Sequence, residues 1–137
     1  MYPEVWLKGV IEEATGVQTW PLSVAEGPAP PVVIYRRTAT DRERTTYAAT
    51  GSPTATFEVE IHALTYSEAK ELAEAVRLGV DNYAGTFKGM AGEVIIQHAY
   101  LVDEFDGEPV FFEGRDKPTY MVLHTYHVRF TESPARS

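Results

Sequence analysis

Residues 54–80 constrain this chain more than any other stretch. Thr54-Ala55-Thr56-Phe57-Glu58-Val59-Glu60-Ile61-His62-Ala63 puts an apolar side chain at every odd position and a polar one at every even position. Side chains alternate between faces along a strand, so the stretch reads as a β-strand with one dry face and one wet face. The period then changes. Thr65-Tyr66-Ser67-Glu68 has the form of a capping box, in which a hydroxyl and a carboxylate satisfy opposite orphan amides at a helix start. Ala69, Leu72, Ala73, Val76 and Val80 follow at helical spacing, with Lys70, Glu71, Glu74 and Arg77 off that stripe. A strand and a helix that each need one face covered, joined by a very short connection, predict a helix packed back on the sheet that holds the strand.

The flanking chain supplies the remaining elements. Pro3 to Thr15 predicts a helix with Pro3 in its first turn, Val5, Trp6, Val10 and Ile11 as its apolar stripe, and Gly16 as a left-handed cap. Val17 to Leu22 predicts a short strand, and the prolines of Glu26-Gly27-Pro28-Ala29-Pro30-Pro31 predict a loop, because they remove ladder donors. Val32-Val33-Ile34-Tyr35 reads as the start of a buried strand. Arg36 to Pro53 is polar without a strong period, which fits an extended β-arm or a functional loop. Asn82 to Gly92, with Gly85, Gly89 and Gly92, reads as a loop, and Glu93 to Val102 as a strand. Asp103 to Asp116 reads as turns around a short strand at Val110-Phe111-Phe112, Tyr120 to Phe130 as the last strand, and Glu132 to Ser137 as a frayed tail. The order α-β-β-β-α-β-β-β predicts a single α+β domain over residues 1–131, with a mainly antiparallel sheet and two helices packed on it.

Composition narrows the function classes. The net charge of -8 argues against general binding to a phosphate backbone, which needs a surplus of Lys and Arg. The absence of Cys excludes disulfide staples, thiolate metal sites and a cysteine nucleophile, and it fits a reducing compartment. No apolar run approaches the ~18 residues that span a bilayer. Met1-Tyr2-Pro3-Glu4 has no basic region ahead of an apolar stretch and does not read as a secretory signal.

Catalytic and cofactor patterns are missing where they would be expected. There is no phosphate loop of the GxxxxGK[ST] form and no GxSxG elbow, and the glycines at 85, 89 and 92 follow a helix where a phosphate loop would precede one. His124 and His127 lie three apart, and on a strand they point to opposite faces, so they do not share a metal ion; wet-face strand histidines are the simpler reading. Glu58 and Glu60 share a face and could do acid–base work, but they continue a polar surface with Thr56 and His62 that fits solvent or a neighbouring subunit better. Trp6 and Trp20 read as core residues rather than ligand platforms. The expectation is a protein that is not an enzyme and carries no metal or cofactor.

One contrast remains. Arg36, Arg37, Arg42 and Arg44 gather four of the 12 basic residues into one short segment. Asp103, Glu104, Asp106, Glu108, Glu113 and Asp116 gather six of the 20 acidic ones into another. Two solvated loops would explain both; a complementary pair on neighbouring subunits, setting register and partner choice, is the sharper reading.

The same residues carry a family resemblance. A short N-terminal helix is followed by Pro31-Val32-Val33-Ile34-Tyr35-Arg36-Arg37 and a polar arm. The strand Phe57-Glu58-Val59-Glu60-Ile61-His62-Ala63 then runs into Thr65-Tyr66-Ser67-Glu68-Ala69 and the helix Leu72-Ala73-Glu74-Ala75-Val76-Arg77. Asp103-Glu104-Phe105-Asp106 and a C-terminal strand complete the pattern, which resembles the tail terminator (tail completion) proteins of long-tailed, non-contractile bacteriophages. The proline-rich stretch 28–31 and the glycines at 85–92 depart from it. The resemblance implies a virion protein assembled in the host cytoplasm as a homo-oligomeric ring, typically a hexamer. It implies contacts with the tail tube protein and the head connector protein, and a lumen through which DNA passes without specific binding. A head–tail connector component shares the ring logic; a small-molecule-binding α+β domain is the alternative of another class, and a pocket lined by Tyr and His would favour it.

Overall fold

The computed structural model describes residues 2–21, 30–42, 52–89, 92–109 and 118–131. Its elements are α1 (Pro3–Thr15), β1 (Thr19–Pro21), β2 (Val32–Asp41), β3 (Thr54–Ala63), α2 (Tyr66–Val80), β4 (Gly85–Gly89), β5 (Gly92–Asp106) and β6 (Tyr120–Thr131). The fold is α+β. The strands form a six-stranded sheet in the order β1-β2-β3-β6-β5-β4, in which only the β1–β2 pair is parallel.

β3 lies inside the sheet, paired with β2 on one side and β6 on the other. Its odd residues from Ala55 to Ala63 are all buried, as the alternation requires. They continue across the ladders, Tyr35 and His124 flanking Val59, Val33 and Val122 flanking Ile61. Both helices cover this face. α2 lays Ala69, Ala73, Val76 and Val80 into the core, and α1 adds Trp6, Leu7 and Ile11. On α1 the burial corrects the expected stripe: Leu7 is inside and Val5 faces water. On α2 Leu72 is half-buried at the flank, not at the centre.

The helix ends follow their local chemistry. The Glu68 amide donates to Thr65 Oγ1 at 3.1 Å. Glu68 Oε1 accepts from the amide of Leu64 at 3.3 Å, one residue ahead of the partner in a standard capping box. Gly16 closes α1 at φ 70° and donates its amide to Glu12 O. Where the helices cross, a Cβ on Gly79 would lie 3.2 Å from Ala14 Cβ and 3.3 Å from Val10 Cγ1, so the missing side chain sets the closeness of α1 to α2.

Several expectations change. Gly85–Gly89 is not loop but a strand, hairpinned to β5 with Gly89 opposite Gly92. Asp103–Asp106 is not turn but the end of β5, because its partners Thr125 to Val122 on β6 continue in step. Arg36–Asp41 belongs to β2 and pairs with Glu58–Thr54 across one register shift. Trp20 is 42% exposed and is no core residue. His62 and His124 are fully buried rather than wet. The proposed strand 110–112, the arm residues 43–51, most of the proline-rich loop and the tail 132–137 lie outside the described residues. Among those that are described, no helix is long and apolar enough to cross a membrane.

Burial separates two substitutions that the sequence alone would treat alike. Ile61→Ala, beneath α2 with no exposed surface, should lower stability by about 2–5 kcal/mol in urea unfolding. Leu72→Ala should cost distinctly less, because part of that side chain stays in water. Equal losses would mean that α2 sits differently on the sheet.

Candidate functional site

The described members of the arginine and acidic clusters lie on β2 and β5, on opposite sides of the sheet, and Arg36, Arg37, Glu104 and Asp106 have partners within the chain. Arg36 is on the sheet face away from the helices, where its Nε and Nη2 donate to Glu58 Oε1 at 2.9 and 2.6 Å. Arg37, one residue on, faces the helices. Its Nε and Nη2 donate to the two Glu4 oxygens at 3.1 and 2.6 Å, and its Nη1 donates to Thr40 Oγ1 at 3.1 Å. Its guanidinium also stands 5.5 Å from the Phe57 ring and 5.4 Å from Phe130. Arg37 therefore ties the start of α1 to the sheet. Arg42 is exposed just past the end of β2, and Arg44 lies outside the described residues.

On the acidic side, Asp106 accepts from Tyr66 Oη at 2.7 Å and Lys70 Nζ at 2.8 Å, which anchors the start of α2 to β5. Those two donors, Lys70 first, hold the Asp106 carboxyl below the usual carboxylate range. Glu104 points under α2 and meets His124 Nε2 at 2.5 Å, while His124 Nδ1 is 2.9 Å from Tyr126 Oη. A neutral imidazole satisfies this arrangement completely: Nε2–H donates to Glu104 and Nδ1 accepts from the phenol. Burial holds the His124 imidazole below its ordinary range against the opposing pull of Glu104, and Arg77 and Lys70 add to the depression. Burial likewise pushes the Tyr126 phenol up. Asp103 and Glu108 are exposed and make no ion pair among the described residues.

Glu58 and Glu60 do share a face, yet each is engaged structurally, Glu58 by Arg36 and Glu60 by the buried His62 at 3.1 Å. The hydrogen bond from His62 holds the Glu60 carboxyl down. His124 and His127 are on opposite faces, as strand spacing demands. His127 stands outside beside Tyr100, its Nδ1 3.2 Å from Tyr100 Oη, and His98 stacks on the same tyrosine at 5.3 Å. Phe105 and Val102 are exposed on the same strand. No group of three or more His, Asp or Glu among the described residues could hold a metal ion. A cleft of about 440 Å³ between α1, the end of α2 and β4 is lined by Val10, Glu13, Ala14, Gly79, Tyr83 and Phe87; it holds one tyrosine and no histidine.

What residue types could not announce is the backbone at the sheet margins. Among the described residues, β1 pairs with β2 at Val33–Tyr35, and β4 pairs with β5 at Gly92–Ile96. The cluster residues Arg36, Arg37, Asp103, Glu104 and Asp106 lie in the parts of those strands left uncovered by a neighbour strand among the described residues. A polar strand that follows an apolar one without a break is the available sequence signal, and Arg36–Asp41 carries it.

Two substitutions separate architecture from surface. Arg37→Ala should destabilise the fold by about 1.5–3 kcal/mol, since it removes hydrogen bonds between charged groups and leaves Glu4 half-buried without them. Arg36→Ala, at an exposed pair, should cost about 0–1 kcal/mol. Similar losses would place both arginines in the same role. For His124, the folded pKa lies below the unfolded value of about 6.5, so the unfolded chain takes up the proton first. Stability is held above that value and lost as pH falls below it. His124→Gln should flatten this part of the stability curve between about pH 7 and pH 5. An unchanged slope would show that His124 is not the titrating group.

No protein-family model matches the chain, and no curated protein matches it in sequence. Among solved structures, the fold is similar to a chain from the "Virion of native gene transfer agent (GTA) particle", at a TM-score of 0.56 and 13% identity. The likeness covers 95% of this chain and 90% of that one, so the two share an architecture from end to end.

Proposed function

We propose that this protein is a structural component of a phage-like particle, and within it the tail terminator: a hexameric ring that caps the tail tube, ends its polymerisation and offers the surface to which the head connector joins. The observation that carries the particle role is the end-to-end likeness of fold to a chain of a gene transfer agent virion, with almost no part of either chain left over. The terminator role rests on the sequence resemblance through residues 31–37, 57–77 and 103–106. The partners are copies of the same chain, the tail tube protein and the connector protein, met during assembly in the host cytoplasm.

The reading is non-enzymatic. The paired carboxylates that could have served as acid and base are held by Arg36 and His62, and the buried His124 faces Glu104 and Tyr126 beneath a helix rather than an open cleft. The acidic balance of -8 suits a ring through which DNA slides, because like charge disfavours phosphate contacts.

Light scattering together with negative-stain microscopy tests the assembly: rings of six 15.3 kDa chains are expected. Added to tail tubes growing in vitro, the protein should stop elongation and make the tubes competent to join heads. Rings that leave tube growth and head joining unchanged would move the protein elsewhere in the particle. A monomer without effect on either would remove the terminator reading altogether.

A further inference from the structure

We propose that the cleft between α1, the end of α2 and β4 is a receptor for an arginine side chain presented by a partner protein. The site is independent of the ring and terminator reading. Its form has a precedent inside the same chain. Arg37 is held by the Glu4 carboxylate, with its guanidinium 5.5 Å from the Phe57 ring and 5.4 Å from the Phe130 ring. A guanidinium suits such a cage because it is planar, carries its donors in a fork that matches a carboxylate, and stacks on aromatic faces. The cleft assembles the same kinds of group. Glu13 supplies a carboxylate, Tyr83 and Phe87 supply two rings, and Val10, Ala14 and Gly79 complete the lining. No Lys or Arg is among the lining residues, so the cation has to come from outside.

The two rings are in place before a ligand arrives. Tyr83 meets the buried Trp6 ring edge-on, with 5.2 Å between centroids. Its amide donates to Val80 O at 3.2 Å, and its carbonyl accepts from the Ala99 amide at 2.9 Å. Phe87 lies against α1, where a Cβ on Gly9 would stand 2.7 Å from Phe87 Cζ. Both rings are half-buried and keep part of their surface accessible. Groups fixed by packing lose little freedom when a ligand binds. Glu13 is exposed and makes no ion pair among the described residues, whereas its neighbour Glu12 is taken by Lys8 at 2.8 Å. A free carboxylate on a chain of net charge -8 draws a cation and repels an anion. Pockets for free small molecules enclose most of the ligand. Here Glu13 and Ala14 are exposed, which suits a side chain whose own backbone stays outside. A second copy of the chain offers no spare arginine among its described residues. Arg36, Arg37 and Arg77 are paired with Glu58, Glu4 and Glu74, and Arg42 and Arg129 have contacts of their own. The arginine is accordingly assigned to a different protein.

The probe is N-acetyl-arginine methylamide, which carries the side chain between neutral amide ends. It is titrated at millimolar concentrations into the full-length protein and followed by backbone amide NMR shifts. The amides of Val10, Glu13, Ala14, Gly79, Tyr83 and Phe87 should shift together and saturate, and binding should weaken as salt is raised. The citrulline analogue, of the same shape without the charge, should shift none of them. Glu13→Gln, on an exposed helix surface, should leave the thermal melt unchanged and weaken binding about threefold or more. Phe87→Leu, which keeps an apolar filling without a ring face, should weaken it by about the same factor. The proposal is overturned by the absence of a saturable shift at the cleft, by equal shifts from both probes, or by a Glu13→Gln protein that binds like wild type. Two further measurements identify the source of the arginine. Free agmatine that binds about tenfold tighter than the blocked probe would make this a small-molecule site and overturn the partner assignment. Self-association of the pure protein that the arginine probe dissolves would put a second copy's arginine in the cleft and overturn it likewise. A blocked probe that binds as well as agmatine, with the association state unchanged by either, supports a partner protein.

Discussion

Ala55, Phe57, Val59, Ile61 and Ala63 expose no surface, and this row on β3 is what the rest of the structure leans on. Because β3 is an interior strand, its dry face needs neighbours on both sides and a cover above. β2 and β6 supply the neighbours, with Val33 and Tyr35 on one and Val122, Tyr126 and Val128 on the other. The helices supply the cover, and the very short passage from Ala63 into α2 fixes which side they take. α1 can join the same layer only because Gly79 lets Val10 and Ala14 approach the last turn of α2. The result is a sheet covered on one face by both helices.

The row also explains the two buried polar groups beneath α2. His124 is opposite Val59 and Tyr126 opposite Phe57, so both fall on the dry face by register and neither can turn away. They solve the problem together: the phenol donates to the imidazole Nδ1, and Glu104, one strand further out, accepts from the imidazole Nε2–H. A buried polar pair of this kind costs stability unless every donor and acceptor is matched. Here the matching fixes the register of β5 on β6 as much as any apolar contact does, since a slip would carry Glu104 to the opposite face.

The parts legible in the sequence are those where periodicity is a single signal. Residues 54–80 alternate, then switch to helical spacing with a cap between, and both boundaries follow. Pro3 and Gly16 bracket α1 in the same way. The illegible parts are those where two rules compete. Gly85–Gly89 reads as loop because glycine weakens a strand, yet a short edge hairpin tolerates it. Asp103–Asp106 reads as turn because acids are poor strand formers, yet pairing to Leu123 and Val122 outweighs propensity. His124 reads as wet because histidine is polar, and no sequence rule shows that Tyr126 and Glu104 would receive it. Of the candidate interface, the charge contrast was visible. That Arg37 and Asp106 would each anchor a helix was not, because their partners Glu4 and Lys70 are more than thirty residues away in sequence.

That internal use of charge bears on how such a surface can work. Arg36, Arg37, Glu104 and Asp106 are held by Glu58, Glu4, His124 and Lys70, so releasing any of them to a neighbour would cost a bond already made. A partner is therefore not recognised mainly by trading ion pairs. Asp103 and Glu108, exposed and without an ion pair among the described residues, leave negative charge at the end of β5 that acts over the ~8–10 Å range of weak screening, whereas the Arg36–Glu58 and Arg37–Glu4 pairs largely cancel. In the proposed ring, unpaired acids such as Asp103 would orient an approaching chain, while the paired charges keep their places in the fold. The paired arginines and acids of this chain therefore belong first to its fold: Arg37 holds the start of α1 to the sheet, and Asp106 the start of α2.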